Sequence, residues 1–286
     1  MEIKTIGVLG AGTMGSGIAQ VAAQTGYDVI MRDIKDEFVQ NGLKNIDKFL
    51  SKSVEKGKLE PSEKDAVMGR IKGTTAMADL KDVDLVVEVV IEDLGLKKAV
   101  FKELDELCRP DVILASNTSS MSITEIAAAT KRPERVCGMH FFNPVPLMKL
   151  VEIIRGMATS DETIATCTEM AKKMGKITVE VKKDSPGFIV NRCMIPHFVE
   201  AIRIVEEGVA TVEDVDKAVK NGLNYPMGPF ELMDLTGIDI AFFVVDYFYK
   251  ELNKEMKWAA PTLLKSMVRA NRLGRKTGAG WYDYSE

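Results

Sequence analysis

The chain has two histidines, and one of them stands where an imidazole could act as a base. His140 follows an apolar run at 136–139, and Glu152 lies 12 residues on, in a second apolar run. Imidazole is the natural group to take a proton from a secondary alcohol near neutral pH. A carboxylate on its other nitrogen would fix the tautomer and stabilise the imidazolium. By spacing alone, a satisfied structural histidine fits the pattern equally well. The catalytic reading gains because His140 is the one histidine at that strand end, with Ser119 and Asn191 as further polar candidates. His197, between Pro196 and Phe198 in a helical apolar pattern, reads as a packed or interface residue.

The second chemical signature is Gly-Ala-Gly-Thr-Met-Gly at 10–15, which closes an apolar run and opens a helical pattern. Gly10 allows a tight turn, Gly12 lets the backbone approach a pyrophosphate, and Gly15 lets helix and strand pack closely. The helix then turns its free N–H groups and positive dipole end toward the phosphates. Ala11, Thr13 and Met14 supply the intervening backbone. Asp33, which ends a second strand at 28–33, lies 18 residues beyond Gly15. A carboxylate at that distance takes the adenosine ribose hydroxyls and would repel a 2′-phosphate, which favours NAD. Arg32 and Lys35 flank it and keep NADP open.

These residues need a scaffold, and the pattern provides one. Apolar runs at 85–90, 112–115, 136–139, 149–154 and 177–181 read as further strands, separated by helical stretches at 94–108, 122–130 and 161–174. That alternation predicts an α/β domain with a doubly wound sheet. Residues 116–120, Ser-Asn-Thr-Ser-Ser, form a polar knot at a strand's C-terminal end, the edge where such sheets bind ligands. Two helices near 36–71 read as a hairpin inserted into this domain. Lys44, Lys48, Lys52 and Lys56 recur every four residues along the first of them. Like charges at that spacing repel, so the stripe is either a solvated face or a site for an anion. After 184 only helices follow, at 188–207, 211–221, 229–235, 238–252 and 261–271. The predicted organisation is therefore a nucleotide-binding domain over 1–184 and an all-helical domain over 185–286.

The sequence resembles the short-chain L-3-hydroxyacyl-CoA dehydrogenase family over essentially its whole length. The likeness rests on Gly-Ala-Gly-Thr-Met-Gly (10–15), Ser-Asn-Thr-Ser-Ser (116–120), His-Phe-Phe-Asn-Pro (140–144), Pro-Gly-Phe-Ile-Val-Asn-Arg (186–192), Pro-Met-Gly-Pro-Phe-Glu-Leu (226–232) and Gly-Arg-Lys-Thr-Gly (274–278). It implies a Rossmann-type domain followed by the helical one, with NAD as cofactor. His140 looks like the catalytic base, Glu152 its orienting partner, Ser119 the hydroxyl that meets the substrate's 3-oxygen, and Asn191 a clamp on the reacting group. Glu92, Lys97, Ser119, Asn143 and Lys276 match positions that contact the dinucleotide. Lys97 and Ser119 also match acyl-CoA contacts, and Lys56, with Lys52 beside it, matches a position that meets the CoA moiety. The implied reaction interconverts a short-chain 3-hydroxyacyl-CoA, such as (S)-3-hydroxybutyryl-CoA, with its 3-oxo form, acetoacetyl-CoA. The resemblance also implies a homodimer, for which exposed-looking Phe242, Phe243, Val244, Val245 and Phe248 are candidate contacts.

Composition bounds these readings. A net charge of −4 excludes a generally basic nucleic-acid binder. The four cysteines are scattered without a C-x-x-C pair, which fits reduced thiols in a cytoplasm and neither a disulfide framework nor a metal site. No membrane span is expected, because Glu88 and Asp246 break the most apolar stretches. Two other functions use the same plan: a catalytically retired dinucleotide-binding structural protein, and a dehydrogenase of small free hydroxy acids. The set of Ser119, His140, Glu152 and Asn191 counts against the first. The lysine stripe counts against the second, since a small acid needs no second anionic anchor.

Overall fold

The computed structural model describes residues 2–285. It divides into two compact units, Met1–Ser185 and Pro186–Glu286. The first unit holds one eight-stranded sheet: β1 Thr5–Leu9, β2 Asp28–Arg32, β3 Ile71–Thr74, β4 Leu85–Glu88, β5 Ile113–Ser116, β6 Val136–Phe141, β7 Leu150–Ile154 and β8 Ile177–Val181. The strand order is β3-β2-β1-β4-β5-β6-β7-β8. β1, β4 and β5 are mostly apolar and buried, as central strands covered on both faces must be. The order reverses between β1 and β4, so the crevice outside their carboxyl ends is where a doubly wound sheet takes a ligand. β6 and β7 are antiparallel, and β7 and β8 are parallel again.

Six helices flank this sheet: α1 Thr13–Gln24, α2 Asp36–Glu55, α3 Pro61–Gly69, α4 Leu94–Leu107, α5 Ile123–Ala127 and α6 Asp161–Lys173. Helix α2 buries Val39, Gly42, Ile46 and Leu50, spaced three or four apart on one face. Full burial of each of the three apolar side chains contributes roughly 1.5–3 kcal/mol. The α2–α3 hairpin is the crossover from β2 to β3. The sequence reading ended this hairpin at 71 and gave no strand beyond it. β3 is only four residues long, and its Gly73 is required by packing, because a Cβ there would lie 2.5 Å from Val39 Cγ1. An Ile-Lys-Gly-Thr segment therefore carries little strand signal.

Asp84 ties the start of β1 to β4 by accepting the backbone N–H groups of Lys4 at 2.8 Å and Thr5 at 2.9 Å. Burial pushes its carboxyl up, but those two N–H groups and the Arg109 guanidinium outweigh burial and hold it below its ordinary value. A carboxyl whose folded value lies below its unfolded one stabilises the fold fully above the unfolded value, about 3.9. That stabilisation is lost as pH falls through the folded value. Asp84→Asn is expected to lower stability by about 1–2 kcal/mol at neutral pH. Urea denaturation repeated below about pH 4 should show the gap between variant and parent closing.

The second unit contains α7 Val190–Glu206, α8 Val212–Gly222, α9 Pro229–Thr236, α10 Ile238–Glu251 and α11 Thr262–Arg269. Its core gathers Ile195, Phe198, Phe230, Val245, Phe248 and Trp258. Two buried carboxylates organise the polar part. Asp216 accepts the first-turn N–H groups of α9, from Phe230 at 2.9 Å and Glu231 at 3.0 Å, and the Tyr282 hydroxyl at 2.8 Å. Burial, reinforced by that bond to Asp216, pushes the Tyr282 phenol well above its ordinary range. Asp234 accepts the N–H groups of Trp281 and Tyr282, both at 2.9 Å, and fixes the C-terminal tail. Gly187 is needed at the start of this unit, since a Cβ would lie 1.9 Å from Phe248 Cζ. Among the described residues, no helix is long and apolar enough to cross a membrane.

Candidate active site

Five connections meet along the carboxyl edge of the first unit's sheet. The turn after β1 is built by its glycines. Gly10 has φ +118°, a left-handed conformation that side chains avoid, and a Cβ there would meet Val89 O at 2.5 Å. At Gly15 a Cβ would lie 1.9 Å from Gly10 O, so helix α1 can start this close to the strand only without one. At Gly12 a Cβ would meet nothing within 4 Å. Gly12 is also the N-cap of α1, and no side chain caps the helix. The first-turn N–H groups are thus offered to an incoming anion.

Asp33 closes this turn from the end of β2. Its Oδ2 accepts the Ala11 N–H at 2.7 Å and its Oδ1 accepts the Ile34 N–H at 2.7 Å. Ala11 therefore contributes by holding Asp33, and its N–H is already used. Arg32 donates Nε to Thr75 O at 3.1 Å, which draws its guanidinium toward the β3 side. Helix α2 begins beside the same turn, where a Cβ at Gly42 would lie 2.7 Å from Ala11 O. Lys44, Lys48, Lys52 and Lys56 are all exposed along α2 and its C-cap. An uncapped helix start, open space at Gly12 and a carboxylate at the neighbouring strand end fit a dinucleotide.

Past β4, Glu92 reaches across to the turn after β5. It accepts the Ser119 N–H at 2.9 Å, the Ser119 hydroxyl at 3.3 Å and the Thr118 hydroxyl at 3.0 and 3.1 Å. Asn117 Oδ1 accepts the Phe141 N–H at 2.9 Å, which fastens this turn to the end of β6. Lys97 departs from the expectation of a direct ligand contact. Its side chain is 1% exposed, and its ammonium lies 2.7 Å from Glu88 Oε1 and 3.4 Å from Glu92 Oε2. The apolar face of α4 and the carboxylate at the end of β4 together draw it inside.

The histidine is held by the sheet itself. The sequence reading ended β6 at Met139, but the strand runs through Phe141, and His140 lies within it. Antiparallel pairing sets His140 directly opposite Glu152. Their side chains meet at 2.7 Å, Nδ1 to Oε2, with the His140 side chain 7% and the Glu152 side chain 0% exposed. An ionised carboxylate only accepts, so in the neutral imidazole this pairing puts the proton on Nδ1 and the lone pair on Nε2. The Phe142 ring packs against the imidazole with centroids 4.4 Å apart. Asn143 is exposed in the turn that follows. In the second unit, Asn191 lies in the first turn of α7, and Lys276 pairs with Asp239 at 2.5 Å.

Thus Gly10 to Gly15, Asp33, Glu92, Ser119, His140 and Asn143 share one sheet edge. Ile34 and Ile91 escaped the sequence reading. They are 67% and 73% exposed, just past the ends of β2 and β4. Two isoleucines that solvent reaches beside a nucleotide crevice suit the faces of a purine, but only their exposure distinguishes them from core residues. Glu88 was also missed, having been read only as a charge that interrupts an apolar run.

Comparison with known proteins bears on both units. Residues 5–185 match the 3-hydroxyacyl-CoA dehydrogenase NAD binding domain, and residues 187–284 match the 3-hydroxyacyl-CoA dehydrogenase C-terminal domain. A 3-hydroxybutyryl-CoA dehydrogenase of Clostridioides difficile is 50% identical over 98% of this chain and 99% of its own length. The mitochondrial hydroxyacyl-coenzyme A dehydrogenase of Sus scrofa is 41% identical over 99% of this chain and 91% of its own. Among solved structures, (S)-3-hydroxybutyryl-CoA dehydrogenase PaaH1 from Ralstonia eutropha superposes with a TM-score of 0.97 at 45% identity, covering 100% of both chains.

Proposed function

Because the chain belongs to the 3-hydroxyacyl-CoA dehydrogenase family, we propose that it interconverts (S)-3-hydroxybutyryl-CoA and acetoacetyl-CoA with NAD. The observation that carries this is the buried His140–Glu152 pair at the nucleotide edge of the sheet. The bound nicotinamide supplies the acceptor or donor of the hydride at carbon 3. His140 Nε2 takes the proton of the 3-hydroxyl in oxidation and returns it in reduction. Glu152 keeps that nitrogen unprotonated and balances the imidazolium. The Ser119 hydroxyl holds the 3-oxygen and Asn191 steadies the reacting group. The glycine turn takes the pyrophosphate, Asp33 the adenosine ribose, and Glu92, Asn143 and Lys276 further parts of the dinucleotide. Lys97, being buried, acts on either ligand through Glu92.

Nicotinamide absorbance with acetoacetyl-CoA, NADH and NADPH in parallel, and free acetoacetate as control, tests the assignment. Oxidation of NADH with the thioester alone is expected. Equal turnover of free acetoacetate would instead favour a dehydrogenase of small hydroxy acids. In Asp33→Ala the preference for NADH over NADPH should shrink about ten-fold or more, as a repelling charge is removed from the 2′ position. An unchanged ratio would mean that Asp33 does not read the ribose.

The exposed lysines of α2 supply the anchor that a CoA phosphate needs. Reversing Lys52 and Lys56 to Glu is expected to raise KM for acetoacetyl-CoA several-fold, with kcat and KM for NADH nearly unchanged. The effect should fade as salt rises, because exposed charges are screened over about 8–10 Å. A salt-independent change would rule out an electrostatic anchor.

A homodimer is also proposed. Val245 and Phe248, expected at such a contact, lie buried in the helical core, but the second unit leaves Ile240 52% and Phe243 48% exposed on α10, with Leu235 50% exposed at the end of α9. Apolar side chains of this size, grouped on neighbouring helices, favour burial against a second copy. A cytoplasmic location suits the free cysteines, three of which are buried thiols.

A further inference from the structure

Glu88 is the last residue of β4 and is wholly buried, yet it is charged. Its Oε1 accepts the Lys97 ammonium at 2.7 Å and the Val90 N–H at 2.7 Å, and its Oε2 accepts the Ser116 hydroxyl at 2.6 Å. A buried ion pair is weak support for stability, because apolar residues of similar size often serve as well. Its distinctive property here is connectivity. Lys97 passes from Glu88 to Glu92, one cation between two carboxylates. Glu92 in turn holds the Ser119 N–H and the Thr118 hydroxyl. On the other side, the Ser116 oxygen accepts the Thr118 N–H at 3.2 Å. The chain of bonds therefore closes on itself: Glu88, Lys97, Glu92, the 118–119 turn, Ser116, and Glu88 again.

We propose that Glu88 is a positioning residue for the reaction, which fixes Glu92 and Ser119 from behind without touching a ligand itself. The proposal rests on the reading of Ser119 as the hydroxyl that meets the substrate oxygen. Two separate routes leave Glu88 for the same turn, one ionic through Lys97 and Glu92 and one through Ser116. Each carboxylate oxygen serves one route, so both need the full carboxylate. An amide cannot serve both, since its NH2 end must face either the Lys97 ammonium and Val90 N–H or the Ser116 hydroxyl. In the first case donors oppose donors. In the second the Ser116 hydroxyl must turn and give up its bond to the strand end. Groups that share a closed network act as a unit, and their losses are not independent.

The test is a double-variant cycle read as kcat, KM for acetoacetyl-CoA and the Kd of NADH, each per mole of folded protein. Ser119→Ala and Glu88→Gln are each expected to lower kcat at least ten-fold. Their combination should be no worse than about twice the poorer single variant, because both remove one placed hydroxyl. Glu88→Gln should also weaken NADH several-fold through Glu92. Multiplication of the two kcat losses would overturn the proposal, since a general structural defect adds to a local one. So would a parental kcat in Glu88→Gln, or a loss there beside a silent Ser119→Ala. This last result would sink the reading of Ser119 as well, whereas multiplication would leave that reading standing.

Glu88→Gln leaves Lys97 buried with one of its two carboxylate partners, so Glu88→Gln/Lys97→Met, which carries neither charge, guards against misfolding. That variant should melt within a few degrees of the parent and still lose kcat at least ten-fold. Parental kcat in it would overturn the proposal.

Discussion

Replacing His140 with Ala is expected to cut kcat by roughly 10²–10⁴-fold, the span over which a positioned acid–base group contributes. Binding of NADH should survive, because the glycine turn and Asp33 belong to β1 and β2, three and four strands removed from β6. Glu152→Gln is the sharper test. The amide keeps the size and the strand position of the carboxylate, so the sheet has no reason to rearrange. What changes is the partner offered to Nδ1. A carboxylate oxygen at 2.7 Å accepts the Nδ1 proton and neutralises the imidazolium that forms when Nε2 takes a proton. A glutamine that turns its NH2 toward Nδ1 puts the histidine proton on Nε2, where a lone pair is required. If its carbonyl faces Nδ1 the tautomer survives but the charge balance does not. Either way kcat should fall about 10²-fold or more, with KM for NADH nearly unchanged. The fall should come with little loss of thermal stability. Single-turnover reduction of acetoacetyl-CoA by each variant separates chemistry from product release. A His140→Ala enzyme that turns over at the parental rate would remove His140 from the reaction.

The glycine turn makes the second large prediction, and it is a contrast. Gly15→Ala places a methyl 1.9 Å from a backbone oxygen in the protein itself. Helix α1 must move away from β1, at a cost of about 1–3 kcal/mol or more. The loss should appear as a lower melting temperature before any nucleotide is added. Gly12→Ala meets nothing within 4 Å, so the free protein should melt within a degree or two of the parent. The same methyl occupies the space through which the pyrophosphate approaches. NADH affinity is therefore expected to drop about ten-fold or more in Gly12→Ala, and NADH should stabilise that variant far less than the parent. Thermal melts with and without NADH check both halves. Equal destabilisation of the two variants without NADH would refute this division of roles.

How much of this was open to sequence reading depends on the reach of each interaction. The glycine turn, Asp33 and the strand–helix alternation are encoded within about thirty residues, and periodicity suffices to place them. The helical second unit is legible for the same reason, and Thr211 caps α8 by accepting the Asp214 N–H. The site's polar wiring is not local. Glu88 and Ser116 are 28 residues apart and meet only because β4 and β5 are neighbours in register. Burial was also hidden: nothing in the sequence around Lys97 marks that packing draws its side chain inside. The reversal of β7 leaves no trace in composition, because a short apolar strand looks the same in either direction.

That reversal has a consequence for how the protein tolerates change in length. His140 and Glu152 face each other because β6 and β7 run in opposite senses with those two residues paired. Side chains alternate along a strand, so one residue added between Leu150 and Glu152 would turn the carboxylate to the opposite face. The backbone ladder could still form, and the domain would lose its base's partner while keeping its outline. The proposed proton-transfer pair is in this sense written in a reading frame. Residues 142–149 between the strands can absorb a change of length, and Leu150 and Val151, which lead into Glu152 within β7, cannot.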